Sequence, residues 1–104
     1  MKIVIPDQGM VIRYYGEDLQ THVHMEECAE LIQALSKVRR NPGEFEHLSN
    51  LAEEMADLLI CLEQMKEMYG ITDRQLQNYV DYKTGREMVR IADQLVKDVS
   101  GDIR

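Results

Sequence analysis

The sequence predicts an all-α protein, an antiparallel bundle of three long helices with a short N-terminal segment, completed by oligomerisation. Three observations carry that expectation. Apolar residues recur at i, i+3, i+4 and i+7 through the middle of the chain, as in Cys28, Leu31, Ile32, Leu35 and Val38. Helix breakers are few and widely spaced, at Pro6, Gly9, Gly16, Asn41-Pro42-Gly43, Gly70, Gly85 and Gly101. Nothing after residue 15 alternates with period two, and neither repeats nor low-complexity tracts occur.

The elements follow in order. Residues 1–15 fit either a short strand or arm at Ile3 to Ile5 followed by a helical turn from Met10 to Tyr15. Gly16-Glu17-Asp18 opens the first long helix with acids in its first turn. Lys37, Arg39 and Arg40 sit in its last turn, where they complement the helix dipole, and Asn41-Pro42-Gly43 stops it, giving roughly 17–40. The second spans about 44–68 and ends at Gly70, suited to the left-handed position after a helix. Thr72 with Gln75 three residues on is a capping box, so a third helix starts there and runs towards Val99, with a bend expected near Thr84-Gly85.

A chain of 104 residues fits one domain, residues 1–104, so any active site must be compact or shared between subunits. It is 44% hydrophobic and 30% charged, enough apolar material for a core. Its formal charge of −7 argues against a grip on DNA or RNA phosphates or on an anionic membrane. The apolar start Met1 to Ile5 is too short for a signal-peptide core, and no run approaches the ~20 apolar residues of a membrane span, so a cytoplasmic protein is expected. Cys28 and Cys61 lie in apolar helical patterns without CxxC spacing, which reads as reduced, half-buried thiols.

Charge placement carries the chemistry. At 100° per residue Glu27 falls on one edge of the first helix's stripe and Glu30 just beyond it, while Glu26 points further towards solvent. The second helix has the stripe Leu48, Leu51, Met55, Leu58, Leu62 and Met65, with Glu54 on the equivalent edge and Asp57 just beyond. Two helices thus carry matched acidic pairs at i, i+3. Asp57 is also the one polar side chain in the run Met55 to Leu62, and the basic candidates nearest in sequence, Lys66 and His47, are two or more turns away. A cation bridging several carboxylates offsets such desolvation, and an all-oxygen donor set suits Mg²⁺ or Mn²⁺. On the third helix Lys83, Arg86 and Arg90 form a basic row useful for a polyphosphate, and Lys37 lies seven residues after Glu30, near its face.

Other residues read as structural. His22 and His24 at i, i+2 do not share a helix face, Glu44 with His47 is a single Glu-x-x-His where a di-iron bundle needs two, and Met25, Met55, Met65, Met68 and Met88 read as core filling. P-loop and GxGxxG patterns are absent.

Glu-Glu-Cys-Ala-Glu at 26–30 followed by Glu-Met-Ala-Asp at 54–57 resembles the EExxE and ExxD motifs of the MazG-like all-α nucleoside triphosphate pyrophosphohydrolases, in the small single-domain form found in phages and bacteria. The resemblance implies magnesium binding by Glu27, Glu30, Glu54 and Asp57. It also implies phosphate contacts from an Asn-x-Lys-x-x-Arg pattern, met here by Lys83 and Arg86, with Asp81 in place of the Asn.

The expected activity is Mg²⁺-dependent hydrolysis of a nucleoside triphosphate to the monophosphate and pyrophosphate, with Mn²⁺ as an alternative ion. Glu27, Glu30, Glu54 and Asp57 hold metal, Glu26 or Glu30 takes the proton of the attacking water, and Lys83, Arg86 and Lys37 contact phosphates. The rival expectation is a non-catalytic helical interaction module with solvated acidic pairs. Both expect a homodimer or homotetramer, because the run Leu58 to Leu62 is apolar on more than one side.

Overall fold

The computed structural model describes the backbone of residues 1–103 and side chains through residue 101. It is all-helical: α1 (Gly9–Tyr15), α2 (Glu17–Arg40), α3 (Phe45–Tyr69) and α4 (Asp73–Ile103), with no strand among the described residues. Of the two expectations for residues 1–15, Ile3 to Ile5 forms no strand, while the turn at Met10 belongs to the seven-residue helix α1.

Local signals set the helix ends. Gly16, at φ 84°, separates α1 from α2, and Glu17 and Asp18 occupy the first turn of α2. At its other end Asn41 satisfies the Lys37 carbonyl twice, through its backbone N–H at 3.0 Å and its Nδ2 at 2.9 Å. Gly70 caps α3 in the left-handed conformation, φ 64° and ψ 30°. The capping box before α4 is reciprocal: the Gln75 N–H donates to Thr72 Oγ1 at 3.1 Å, and the Thr72 N–H donates to Gln75 Oε1 at 2.8 Å. Helix α4 runs through Thr84-Gly85 without a break.

The chain divides into two compact units, Met1–Gly70 and Ile71–Arg104. In the first, α2 and α3 are antiparallel: Gln20 and His24 meet Gln64, and Thr21 meets Tyr69. Helix α1 packs against both. In the second, α4 presents side chains exposed along its length.

The packed faces differ from the expected stripes. The α2 seam is Gln20, His24, Glu27, Leu31, Ala34 and Val38; the α3 seam runs through Asn50, Glu54, Asp57, Cys61 and Gln64. Relative to the apolar stripes, the contact is rotated by roughly 60° on α2 and 110° on α3, taking 3.6 residues per turn. Rotation in the same sense on antiparallel helices brings both displaced stripes out on one side of the pair. Met25 (63%), Ile32 (69%), Leu35 (57%), Met55 (52%) and Leu62 (45%) are accordingly exposed, and among the described residues the buried apolar side chains are Ala34 and Cys61. The expectation that Met25, Met55 and Met88 fill a core is corrected by this exposure, whereas Met65 and Met68 are partly covered. On the back of α3 the N-terminal segment lies alongside: Ile3 to Pro6 with Ala52, Met55, Ala56, Leu59 and Ile60 line a groove of about 420 Å³.

Candidate metal centre

Because the seam runs through the acids, α2 and α3 press their carboxylates together. Glu27, Glu30 and Glu54 each present an oxygen within 4.8 Å of the others. Asp57 completes the group from the next turn of α3 and contacts the Glu27 carboxyl. One oxygen of Glu27 and one of Glu54 are buried without a hydrogen-bond partner. Buried polar atoms are normally satisfied, so two orphaned carboxylate oxygens in one seam make these four acids the residues that could hold a cation.

The electrostatics agree. Desolvation first, then the charges of Glu30, Asp57 and Glu54, raise Glu27 from 4.5 to about 7. Glu54 is raised by desolvation and by Glu30 and Asp57. The neighbouring Cys61 thiol is pushed up to about 11, by burial first and then by Glu27, Cys28 and Asp57, so it stays protonated and both cysteines are free. An oxygen-only donor set with this much uncompensated negative charge fits a hard divalent cation.

A polar layer next to the acids went unseen in the sequence. Gln64, 4% exposed, accepts at Oε1 from Gln20 Nε2 (2.9 Å) and from His24 Nε2 (2.8 Å), and its own Nε2 donates to Gln8 Oε1 (3.0 Å). His24 is 2% exposed and must carry its hydrogen on Nε2. The layer joins α2, α3 and the residue before α1, holding the helix pair in register one turn from Glu27. The signal that could have found it is the 4-3-4-3-4 spacing of Gln20, His24, Glu27, Leu31, Ala34 and Val38.

The remaining candidates stand apart. Glu26 is exposed, beside Glu27 in sequence but outside the group of converging oxygens. Lys37 is exposed in the last turn of α2. Lys83 and Arg86 are exposed on α4, where the Arg86 guanidinium lies 5.6 Å from the Tyr82 ring centre. Arg90 reaches Glu87 at 3.4 Å. Glu44, Glu46 and His47 form a second, surface group, with His47 Nε2 3.1 Å from Glu44.

The family model for the Mediator complex subunit 25 von Willebrand factor type A matches residues 11–80. No curated protein and no solved structure matches the chain. This corrects the resemblance to the MazG-like family: both acidic motifs fall inside a longer stretch matched by a different model. The reason lies in the motifs themselves. Glu and Asp at i, i+3 recur on many helices, so two short motifs specify a local charge pattern, not a lineage.

Proposed function

We propose that this chain, which belongs to the Mediator complex subunit 25 von Willebrand factor type A family, is a metal-dependent hydrolase that cleaves a nucleoside triphosphate to the monophosphate and pyrophosphate. The observation supporting this reading is the convergence of Glu27, Glu30 and Glu54 with two buried, unpartnered oxygens. Mg²⁺, or Mn²⁺, when bound there would supply neutralisation of substrate charge and a water acidic enough to attack phosphorus.

The chain's own residues divide the remaining work. Glu27, Glu30, Glu54 and Asp57 are the ligands, with Glu27, Glu54 and Asp57 held by the seam. Glu30, exposed at the edge of the group, is placed to accept the water's proton, with exposed Glu26 in the same turn as the second candidate. Lys37, in the last turn of α2, is the candidate cation for the phosphates on the same helix as the acids, and Lys83 and Arg86 are the candidates that α4 carries. The reaction consumes one water and breaks the α–β phosphoanhydride, its proton passing to the carboxylate. The chain works as a homodimer or homotetramer. Two free cysteines suit a reducing compartment, which we take to be the cytoplasm. Among the described residues no helix is long and apolar enough to cross a membrane.

A second reading has support in the family name, which denotes a subunit of a protein complex, and in the large apolar residues exposed on α2 and α3. On that reading the chain is a non-catalytic interaction module. The deciding experiment is a nucleotide panel with Mg²⁺, scored for pyrophosphate against phosphate release. Pyrophosphate from a triphosphate supports the hydrolase; no turnover together with no Mg²⁺ binding by calorimetry leaves the module.

A further inference from the structure

Helix α4 carries apolar residues on two sides. Leu76, Val80, Ile91 and Leu95 make one stripe, and Tyr82, Gly85, Val89, Ala92, Val96 and Val99 make another, centred roughly 140° away at 3.6 residues per turn. The second stripe is a heptad seam. Tyr82, Val89 and Val96 recur every seven residues, as do Gly85, Ala92 and Val99, offset by three. Its large members are open to solvent: Tyr82 is 65%, Val89 61%, Val96 66% and Val99 60% exposed. Around Gly85 the surface is concave, walled by Asp81, Tyr82, Arg86 and Val89, and the position a Cβ would take there has nothing within 4 Å. A row of knobs with a hole in it is what one strand of a coiled coil presents to another.

We propose that α4 pairs antiparallel with α4 of a second copy of this chain through this seam. Two features choose that occupant and direction. First, the antiparallel register sets Tyr82 against Val99, Gly85 against Val96, and Val89 against Ala92, so each layer joins a larger side chain to a smaller one and Val96 fills the Gly85 hollow. A parallel pair would stack Gly85 on Gly85, a void, and Tyr82 on Tyr82, a clash. Second, the charges match. Arg86 and Asp93 both follow the second apolar position of their heptads, and in this register Arg86 faces Asp93 of the partner subunit, twice by symmetry. Engaging that carboxylate with two donors leaves Arg86 three N–H groups for other work. Lys83 and Arg90 point away from the seam.

The test uses the full chain in sedimentation velocity and light scattering. Val89→Glu places a charge at the centre of the seam on a residue 61% exposed in the single chain, so the variant keeps its helical circular dichroism and its association weakens by about thirty-fold or more, as expected for a central interface residue. Arg86→Asp and Asp93→Arg each weaken association through like-charge contact, and the double swap Arg86→Asp/Asp93→Arg restores it. A monomeric wild type, or Val89→Glu associating as tightly as wild type, overturns the proposal. So does a double swap that stays as weak as the single variants. Restoration by Arg86→Asp/Asp81→Arg instead identifies a parallel pair and overturns the antiparallel register. None of these readouts depends on whether the acidic seam binds metal.

Discussion

Glu27 is where the protonation chemistry concentrates. Burial first, then the charges of Glu30, Asp57 and Glu54, raise its carboxyl from the ordinary 4.5 to about 7 in the folded chain. Between those values the folded state holds a proton that the unfolded state has released, so stability must fall as pH rises from about 4.5 through 7 and then level off. Thermal unfolding in EDTA should give a higher midpoint at pH 5 than at pH 8, and Glu27→Gln should flatten that difference. A wild type more stable at pH 8 would contradict the burial of this carboxyl. Because metal must displace the proton, Mg²⁺ affinity should rise by about tenfold per pH unit below 7. Glu54→Gln or Asp57→Asn should likewise abolish turnover while leaving the helices intact, and raise metal-free stability by relieving repulsion. Either variant retaining the wild-type rate at saturating Mg²⁺ would remove the acidic seam from the mechanism. These four acids were legible because charge at i, i+3 beside apolar sequence is a local pattern. The Gln20, His24, Gln64 and Gln8 layer was not, since a glutamine's partner lies on another element.

Among elements, what was readable was whatever a helix decides by itself. Asn41, Gly70 and the Thr72–Gln75 box act through backbone groups a few residues away, so the bounds of α2, α3 and the start of α4 follow from sequence. Which face each helix buries is decided by its neighbour. Apolar periodicity placed the contact on Ile32, Leu35, Met55 and Leu62, and all four are exposed because the polar and acidic rows meet instead. That arrangement stands only if its polar groups stay paired. Gln64→Leu leaves donors on Gln20 and His24 and an acceptor on Gln8 without partners, each a buried group that costs about 1–3 kcal/mol when unsatisfied. The variant should lose roughly 3 kcal/mol in urea unfolding, and the loss should be much smaller when Gln20 is already alanine, since the two residues share one network. Additive effects of the two substitutions would mean that the layer is not a unit.

At the scale of the whole molecule the quantity that matters is how little the chain hides. Among the described residues Ala34 and Cys61 are the buried apolar side chains, while Met25, Ile32, Leu35 and Leu62 share one open side of the helix pair and Val89 and Val96 stand open on α4. Each large side chain left wet forgoes about 1.5–3 kcal/mol of burial, and a domain's entire net stability is only about 5–15 kcal/mol. On the proposal that the chain self-associates, association covers part of this surface and couples folding to assembly, so the unfolding midpoint should climb with protein concentration, as it does for obligate oligomers. Ile32→Glu, placed on the open face, should lower both the mass in solution and that midpoint. The back of α3 differs, because there Leu59 and Ile60 line a separate groove with the N-terminal segment, so Ile60→Glu should reduce stability with a smaller change in mass. A midpoint that does not move over a hundredfold range of concentration, or a folded Ile32→Glu chain with the wild-type mass, would show that the α2–α3 face takes no part in assembly.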